Sequence, residues 1–72
     1  MMKLHYYPET DSLYIELQDA PGVETRRIED GLNVDFDAAG HAVGIDIDGA
    51  SHRLDLTKLE TVALPVEATR VA

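Results

Sequence analysis

The stretch from Leu32 to Ile47 constrains the fold more than any other part of the chain. Apolar side chains alternate with polar or small ones on both sides of Asp37-Ala38-Ala39-Gly40. A period of two with one apolar face is strand patterning, and Asp and Gly at the centre are turn formers. The segment therefore predicts a β-hairpin with one dry face and one wet face. Setting Phe36 opposite His41 brings Val34 to Val43 and Leu32 to Ile45 on the dry face. Asp35 then meets Ala42, and Asn33 meets Gly44, on the wet face. Gly44 carries no side chain to pack, so it marks a bulge or a close backbone approach.

A second hairpin precedes it. Lys3–Tyr7 and Ser12–Leu17 flank Pro8-Glu9-Thr10-Asp11, which is turn chemistry. With Tyr7 opposite Ser12, Tyr6 meets Leu13 and Leu4 meets Ile15 on one face. Lys3 meets Glu16 and His5 meets Tyr14 on the other, so apolar faces apolar and opposite charges pair. Residues 23–28 form a third strand in which Arg26 and Arg27 break the alternation, as at a bulge or an edge. Glu29-Asp30-Gly31 reads as a three-residue loop with Gly31 left-handed, which sets Ile28 opposite Leu32.

After Ile47 the period changes. Residues 49–54 fit a helical turn or two with Asp48 as N-cap. Thr57-Lys58-Leu59-Glu60 matches a capping box and predicts a short helix over 58–64, ended by Pro65; a short edge strand over 61–64 is the rival reading. Residues 66–72 read as a frayed tail. The fold class is therefore α+β, mostly β: one domain, an antiparallel meander of five strands (3–7, 12–17, 23–28, 32–36, 41–47) with one or two short C-terminal helical segments on one face. The expected core is Leu4, Tyr6, Leu13, Ile15, Leu17, Ile28, Leu32, Val34, Phe36, Val43, Ile45, Ile47, Leu54, Leu59 and Val62.

Composition narrows the function classes. The chain has 72 residues and no cysteine, which excludes disulfides and thiolate metal sites, two common supports of small domains. Small scaffolds lacking them often need self-association, so a homodimer or larger homo-oligomer is expected. The net charge is −8, and the basic residues are scattered. Nucleic-acid binders cluster positive charge against phosphates, so neither nucleic acid nor an anionic membrane is an expected partner. The acidity serves solubility, or attraction to a basic protein partner. With no long apolar run and no basic-then-apolar leader, a cytoplasmic location is the default.

Three motifs then resemble a known family. Tyr7-Pro8-Glu9-Thr10-Asp11-Ser12-Leu13-Tyr14-Ile15 resembles its opening signature. Val34-Asp35-Phe36-Asp37 through Gly44-Ile45-Asp46-Ile47 resembles its centre, and Ala50-Ser51-His52-Arg53-Leu54 its close. The family is domain of unknown function 2283, small bacterial proteins, and the resemblance covers about residues 3–54. Tyr7 stands where many members carry Asp, and Asp46 where Glu is commoner. The resemblance implies a compact β-sheet with little helix. It implies no activity and carries over no catalytic or ligand residue. Pro8, Asp11, Asp37, Gly40 and Gly44 read as architecture.

No residues form a catalytic motif. Neither Ser12 nor Ser51 lies in a nucleophile elbow, and no phosphate-cradling glycine loop occurs. His5, His41 and His52 lack ligand spacing, and no cofactor is expected. The chain is therefore not expected to be an enzyme. Asp46 and Asp48 share a strand face and are the weak candidates for a hard cation or small ligand, there or at a subunit seam; turn and N-cap roles account for the same aspartates. His5, Tyr7 and Tyr14 share the wet face and are the candidate interaction surface, since tyrosine offers area with a polar tip. Two functions follow: a self-associating acidic interaction module, neutralising a basic protein in one version, or a ligand or divalent-metal site at the Asp46–Asp48 edge.

Overall fold

A computed structural model describes residues 1–66. Its elements are β1 (Lys3–Tyr7), β2 (Ser12–Glu16), β3 (Glu24–Glu29), β4 (Leu32–Phe36), β5 (Ala42–Asp48) and α1 (Ala50–Arg53). The five strands form one antiparallel sheet, so the fold is mostly β, as expected. Its order, β1-β2-β5-β4-β3, is not that of a simple meander. β5 returns to the middle, and β3 lies at the far edge. The link from β2 to β3 passes the start of β5 and the end of β4, with Leu17 N–H bonded to Val43 O (2.9 Å) and Val23 N–H to Phe36 O (2.8 Å).

β1 and β2 pair in the expected register, from Lys3 with Glu16 to Tyr7 with Ser12. The β4–β5 register differs from the expected one by two residues. Val34 faces Ile45, Leu32 faces Ile47 and Asp35 faces Gly44, while a bulge lets Phe36 face Ala42. The cause is the Asp37 loop. Asp37 Oδ1 accepts the N–H groups of Ala39 (3.0 Å) and His41 (2.8 Å), and Asp37 N–H bonds His41 O (2.9 Å). His41 thus closes the loop instead of pairing with Phe36. A slip of two preserves every face, so the dry side stays dry.

The β3–β4 turn is also shorter than expected. Glu29, not Ile28, faces Leu32, and a bulge between Arg27 and Glu29 leaves Ile28 unpaired and exposed. Gly31 takes the left-handed conformation that the turn requires (φ 80°).

α1 is capped differently from the expectation. Gly49 is its N-cap residue and Asp48 ends β5. The cap is supplied from the β1–β2 turn, by Asp11. Its carbonyl accepts Ala50 N–H (2.8 Å), and its carboxylate accepts Ser51 N–H (3.1 Å) and the Ser51 hydroxyl (2.6 Å). Tyr6 donates to the same carboxylate (2.8 Å). At the other end Arg53 donates to Glu29 (3.1 Å) and to the Asp30 carbonyl. Two turns from opposite ends of the strand order thus hold a helix too short to persist alone.

Residues 58–64 form neither the expected helix nor the rival strand. Thr57, the expected cap, spends its hydroxyl (2.5 Å) and its N–H (3.0 Å) on Asp55 Oδ1, and Ala63 is left-handed (φ 57°). Val66 lacks regular structure; the rest of the expected tail lies outside the described residues. The core is correspondingly small. Among the described residues only Leu13, Val43 and Ala50 are buried apolar residues, while the expected core members Leu4, Tyr6, Ile28, Leu54, Leu59 and Val62 are exposed.

The bonds from Ser51 and then Tyr6 hold the Asp11 carboxyl below its ordinary range. A depressed folded value contributes stability above the unfolded one, near pH 3.9, that is lost as pH falls through the folded value. Asp11→Asn is expected to lower Tm at pH 7, with the deficit shrinking as pH drops below about 4; thermal melts across pH 2–7 measure it.

Candidate functional site

The two sheet faces are chemically distinct. Registers and alternation place His5, Tyr7, Tyr14, Glu16, Asp35, Gly44, Asp46 and Asp48 on the wet face. At its centre Tyr14 lies across Gly44 and donates from its hydroxyl to Asp35 Oδ2 (2.9 Å). Thr25 donates to Asp35 Oδ1 (2.5 Å). One hydrogen-bonded belt thus spans β2, β5, β4 and β3. A Cβ on Gly44 would stand 1.8 Å from the Tyr14 hydroxyl, so this position admits glycine alone while Tyr14 keeps its place.

Burial, then the Asp35 bond, pushes the Tyr14 phenol up to about 12. It remains a donor throughout the physiological range; its contribution is present below about pH 10 and lost as pH rises through the folded value. His5 and Tyr7 stack at 6.5 Å between ring centroids, and His5 Nε2 lies 3.7 Å from Glu16. The candidate surface residues His5, Tyr7 and Tyr14 therefore share a face. Two are exposed there, whereas Tyr14 spends its polar tip on Asp35.

Asp46 faces Tyr14 on one side and Asn33 on the other. Asp48 faces Ser12, which donates to it at 3.2 Å. Burial raises the Asp46 carboxyl, and repulsion from Asp48 and then Asp35 adds to the rise. Among the described residues, no group of three or more His, Cys, Asp or Glu side chains converges as a metal would need. Sequence reading set Asp35 on the wet face but missed its partners there, Tyr14 and Thr25. Its signal was there: correct β4–β5 pairing sets it opposite Gly44, where the Tyr14 ring passes.

The dry face is the less expected feature. Leu4, Tyr6, Leu13, Ile15, Ile45 and Ile47 line it, with Leu32 and Val34 beyond. α1 covers only part of it. Beside α1, an open groove of about 890 Å³ runs between the β1–β2 hairpin and the chain from Leu54 to Leu59, with Leu4, Tyr6, Leu13 and Leu56 among its walls. At the far edge the Arg26 guanidinium lies 4.4 Å above the Phe36 ring and partly shields it.

The accessible surface is 5901 Å² for a 7.9 kDa chain. Folded monomers of that mass expose about 4,400 Å². The excess of about 1,500 Å² belongs to the chain as a whole: the most exposed large apolar side chains are Met1, Val23, Leu59 and Val62, while on the dry face Leu4 and Tyr6 are exposed and Ile15, Leu32, Val34, Ile45 and Ile47 are half-buried.

The family described as "Protein of unknown function (DUF2283)" matches residues 3–51. The chain belongs to this family. No curated protein and no solved structure matches it. The DUF2283 match ends at Ser51, before the groove wall at Leu54–Leu59. Within the match, the motif residues resolve into scaffold roles: Asp11 and Ser51 clip α1 to the first turn, Asp37 closes the second hairpin, and Gly44 admits Tyr14. Among the described residues no helix is long and apolar enough to cross a membrane.

Two outcomes follow. Gly44→Ala is expected to cost about 1–3 kcal/mol by overpacking, and clearly less in a Tyr14→Ala background; a double-mutant cycle by urea unfolding measures the coupling. Asp46→Asn is expected to raise Tm at pH 7. A raised folded pKa gives stability present below the unfolded value and lost as pH rises through the folded one, so the gain should vanish near pH 3.

Proposed function

We propose that this DUF2283 chain is a self-associating protein-interaction module that pairs through the dry face of its sheet. Stable domains pack at least two layers around a core, and this chain offers one sheet and a helix of four residues. The observation that carries the reading is a sheet face lined by leucine, isoleucine, valine and tyrosine that a four-residue helix only partly covers, with Leu4 and Tyr6 exposed on it. An isologous pair would bury that face on both copies and supply the missing layer.

The same pairing turns both wet faces outward. Glu16, Asp35, Asp46 and Asp48 then form an acidic surface, on a chain of net charge −8, suited to steering a basic protein partner. Specific observations set the dry face ahead of the tyrosine face as the self-association surface. The Tyr14 hydroxyl is bonded within the subunit, and wet-face pairing would bring carboxylates against carboxylates.

Light scattering at micromolar concentration is expected to give twice the 7.9 kDa chain mass. Leu4→Glu, on the dry face, should shift the mass to that of one chain, and Tyr7→Ser, on the wet face, should not. A single-chain mass for the wild type at 100 µM (about the upper end of ordinary association assays) defeats the reading.

A further inference from the structure

β3 lies at one edge of the sheet, and every one of its residues is exposed. An edge strand turns backbone N–H and C=O groups toward solvent, where another strand can pair with them. Charges along an edge keep off strands that would set like against like. Those of β3 also leave one alignment open. In a chain of net charge −8, this strand alone of the five balances acids, Glu24 and Glu29, against an equal number of bases, Arg26 and Arg27. Two copies of it meet without net repulsion between the strands.

The pairing with β4 fixes which side each residue takes. Glu24 and Arg26 lie opposite Phe36 and Val34 on the dry side, and Thr25 and Arg27 opposite Asp35 and Asn33 on the wet side. Two copies that continue one sheet across a two-fold axis keep dry with dry, so their antiparallel registers must centre on a residue. Centred on Glu24, acid meets acid. Centred on Arg26 or Arg27, guanidinium meets guanidinium. Farther along, the bulge at Ile28 breaks the ladder. Centred on Thr25, threonine meets threonine, and Glu24 of each copy meets Arg26 of the other.

We infer that β3 pairs antiparallel with β3 of a second copy, Thr25 against Thr25, with two Glu24–Arg26 pairs flanking the axis. Charge complementarity selects both the occupant and the register, because Glu24-Thr25-Arg26 is complementary to itself in this alignment alone. Opposite-charge and Thr–Thr pairs are favourable directly across antiparallel strands. Within one subunit Arg26 Nε donates to Glu24 (3.2 Å) and the guanidinium lies 4.4 Å above Phe36. A guanidinium has five N–H donors, so others remain for Glu24 of the second copy. β1, the opposite edge, carries Lys3 and no acid to meet it. The contact is independent of dry-face pairing and weaker. Residues 23–27 bury far less than the ~800 Å² per partner of a standard interface, so the edge closes at about millimolar concentration.

Thr25→Cys places a thiol on the axis of a chain that has no other. Directly opposed antiparallel residues stand about 4.5–5.5 Å apart between Cα atoms, within reach of a disulfide. Mild oxidation at about 1 mM is expected to give the covalent dimer as the main product, both with Leu4 intact and with Leu4→Glu, which removes dry-face pairing. Adding Glu24→Arg or Arg26→Glu, at exposed positions, sets like charges across the axis. Each should slow linking at least about tenfold with an unchanged far-ultraviolet circular dichroism spectrum. Mixing these two chains sets arginine against glutamate again, and the mixed dimer should form at the parental rate. That recovery cannot come from the Glu24–Arg26 bond inside a subunit, which both variants lack. A Thr25→Cys chain that stays at single-chain mass overturns the inference. So do charge variants that link at the parental rate, or a mixture that links no faster than its parts. A link lost with Leu4→Glu overturns the edge as an independent contact. Failure at Thr25 in a chain that is dimeric at micromolar concentration leaves dry-face pairing standing, whereas a chain that is single there and still links at Thr25 defeats dry-face pairing and supports the edge.

Discussion

A sheet with one apolar face requires something to lie against it, and that requirement governs this molecule. The inner strands β2, β5 and β4 bring Leu13, Ile15, Ile45, Ile47, Leu32 and Val34 to one side. Fully burying side chains of this size is worth about 1.5–3 kcal/mol each. Most of them are only half buried here, because the one helix reaches across part of the sheet. That uncollected stabilisation is what the proposed pairing would recover; the few buried apolar residues are Leu13 and Ala50 near α1 and Val43 at the start of β5.

The helix illustrates how a short element is made to stay. Four residues cannot repay helix nucleation by themselves. Here the missing stability comes from side chains that belong to distant turns. Asp11 offers both its carbonyl and its carboxylate to the first turn of α1, and Arg53 reaches the β3–β4 turn from the last. Ala50, with no exposed surface, is the residue by which α1 packs inward. The clip fixes the hairpin β1–β2 and the hairpin β3–β4 relative to each other, across the middle strand that separates them. The position of Leu54 and of the groove beside it follows from that arrangement.

How much of this the sequence disclosed depended on locality. The β1–β2 register was legible to the residue because a tight turn, an apolar match and the Lys3–Glu16 pair all select it. The β4–β5 register was not. A slip of two leaves the face pattern intact, so alternation cannot separate the two pairings; the Asp37 loop decides between them. Gly44 was legible as a close approach, but its partner Tyr14 comes from β2, and nothing local announces that β5 inserts beside β2. The helix expected over 58–64 failed for a local reason of another kind: Asp55, two residues before Thr57, competes for the hydroxyl that would have been the cap. Hydrophobicity marked Leu4, Leu59 and Val62 as core candidates, yet pattern alone cannot say whether a subunit or its neighbour provides the cover. The motif residues Asp11, Ser51, Asp37 and Gly44 proved to be scaffold, and the surface proposed for association lies where alternation put the dry side.

Charge bears on which faces meet. Two chains of net charge −8 repel, and the size of that repulsion depends on where the acids sit. Sheets stacked face to face lie about 10 Å apart, so dry-face pairing leaves the two wet faces on the outside, roughly 20 Å from each other. The Debye length at physiological ionic strength is about 8 Å, and charges separated by more than that are largely screened. Pairing through the wet face would instead bring Asp35, Asp46 and Asp48 against their own copies at contact range. Burial, then repulsion from Asp48 and Asp35, already raises the Asp46 carboxyl within one subunit, and a second set of carboxylates would compound that cost. The acidity that keeps single chains apart in solution thus opposes one mode of pairing strongly and the other only weakly. The sheet's two-sidedness, set by a period of two in the sequence, is what the proposed pairing reads.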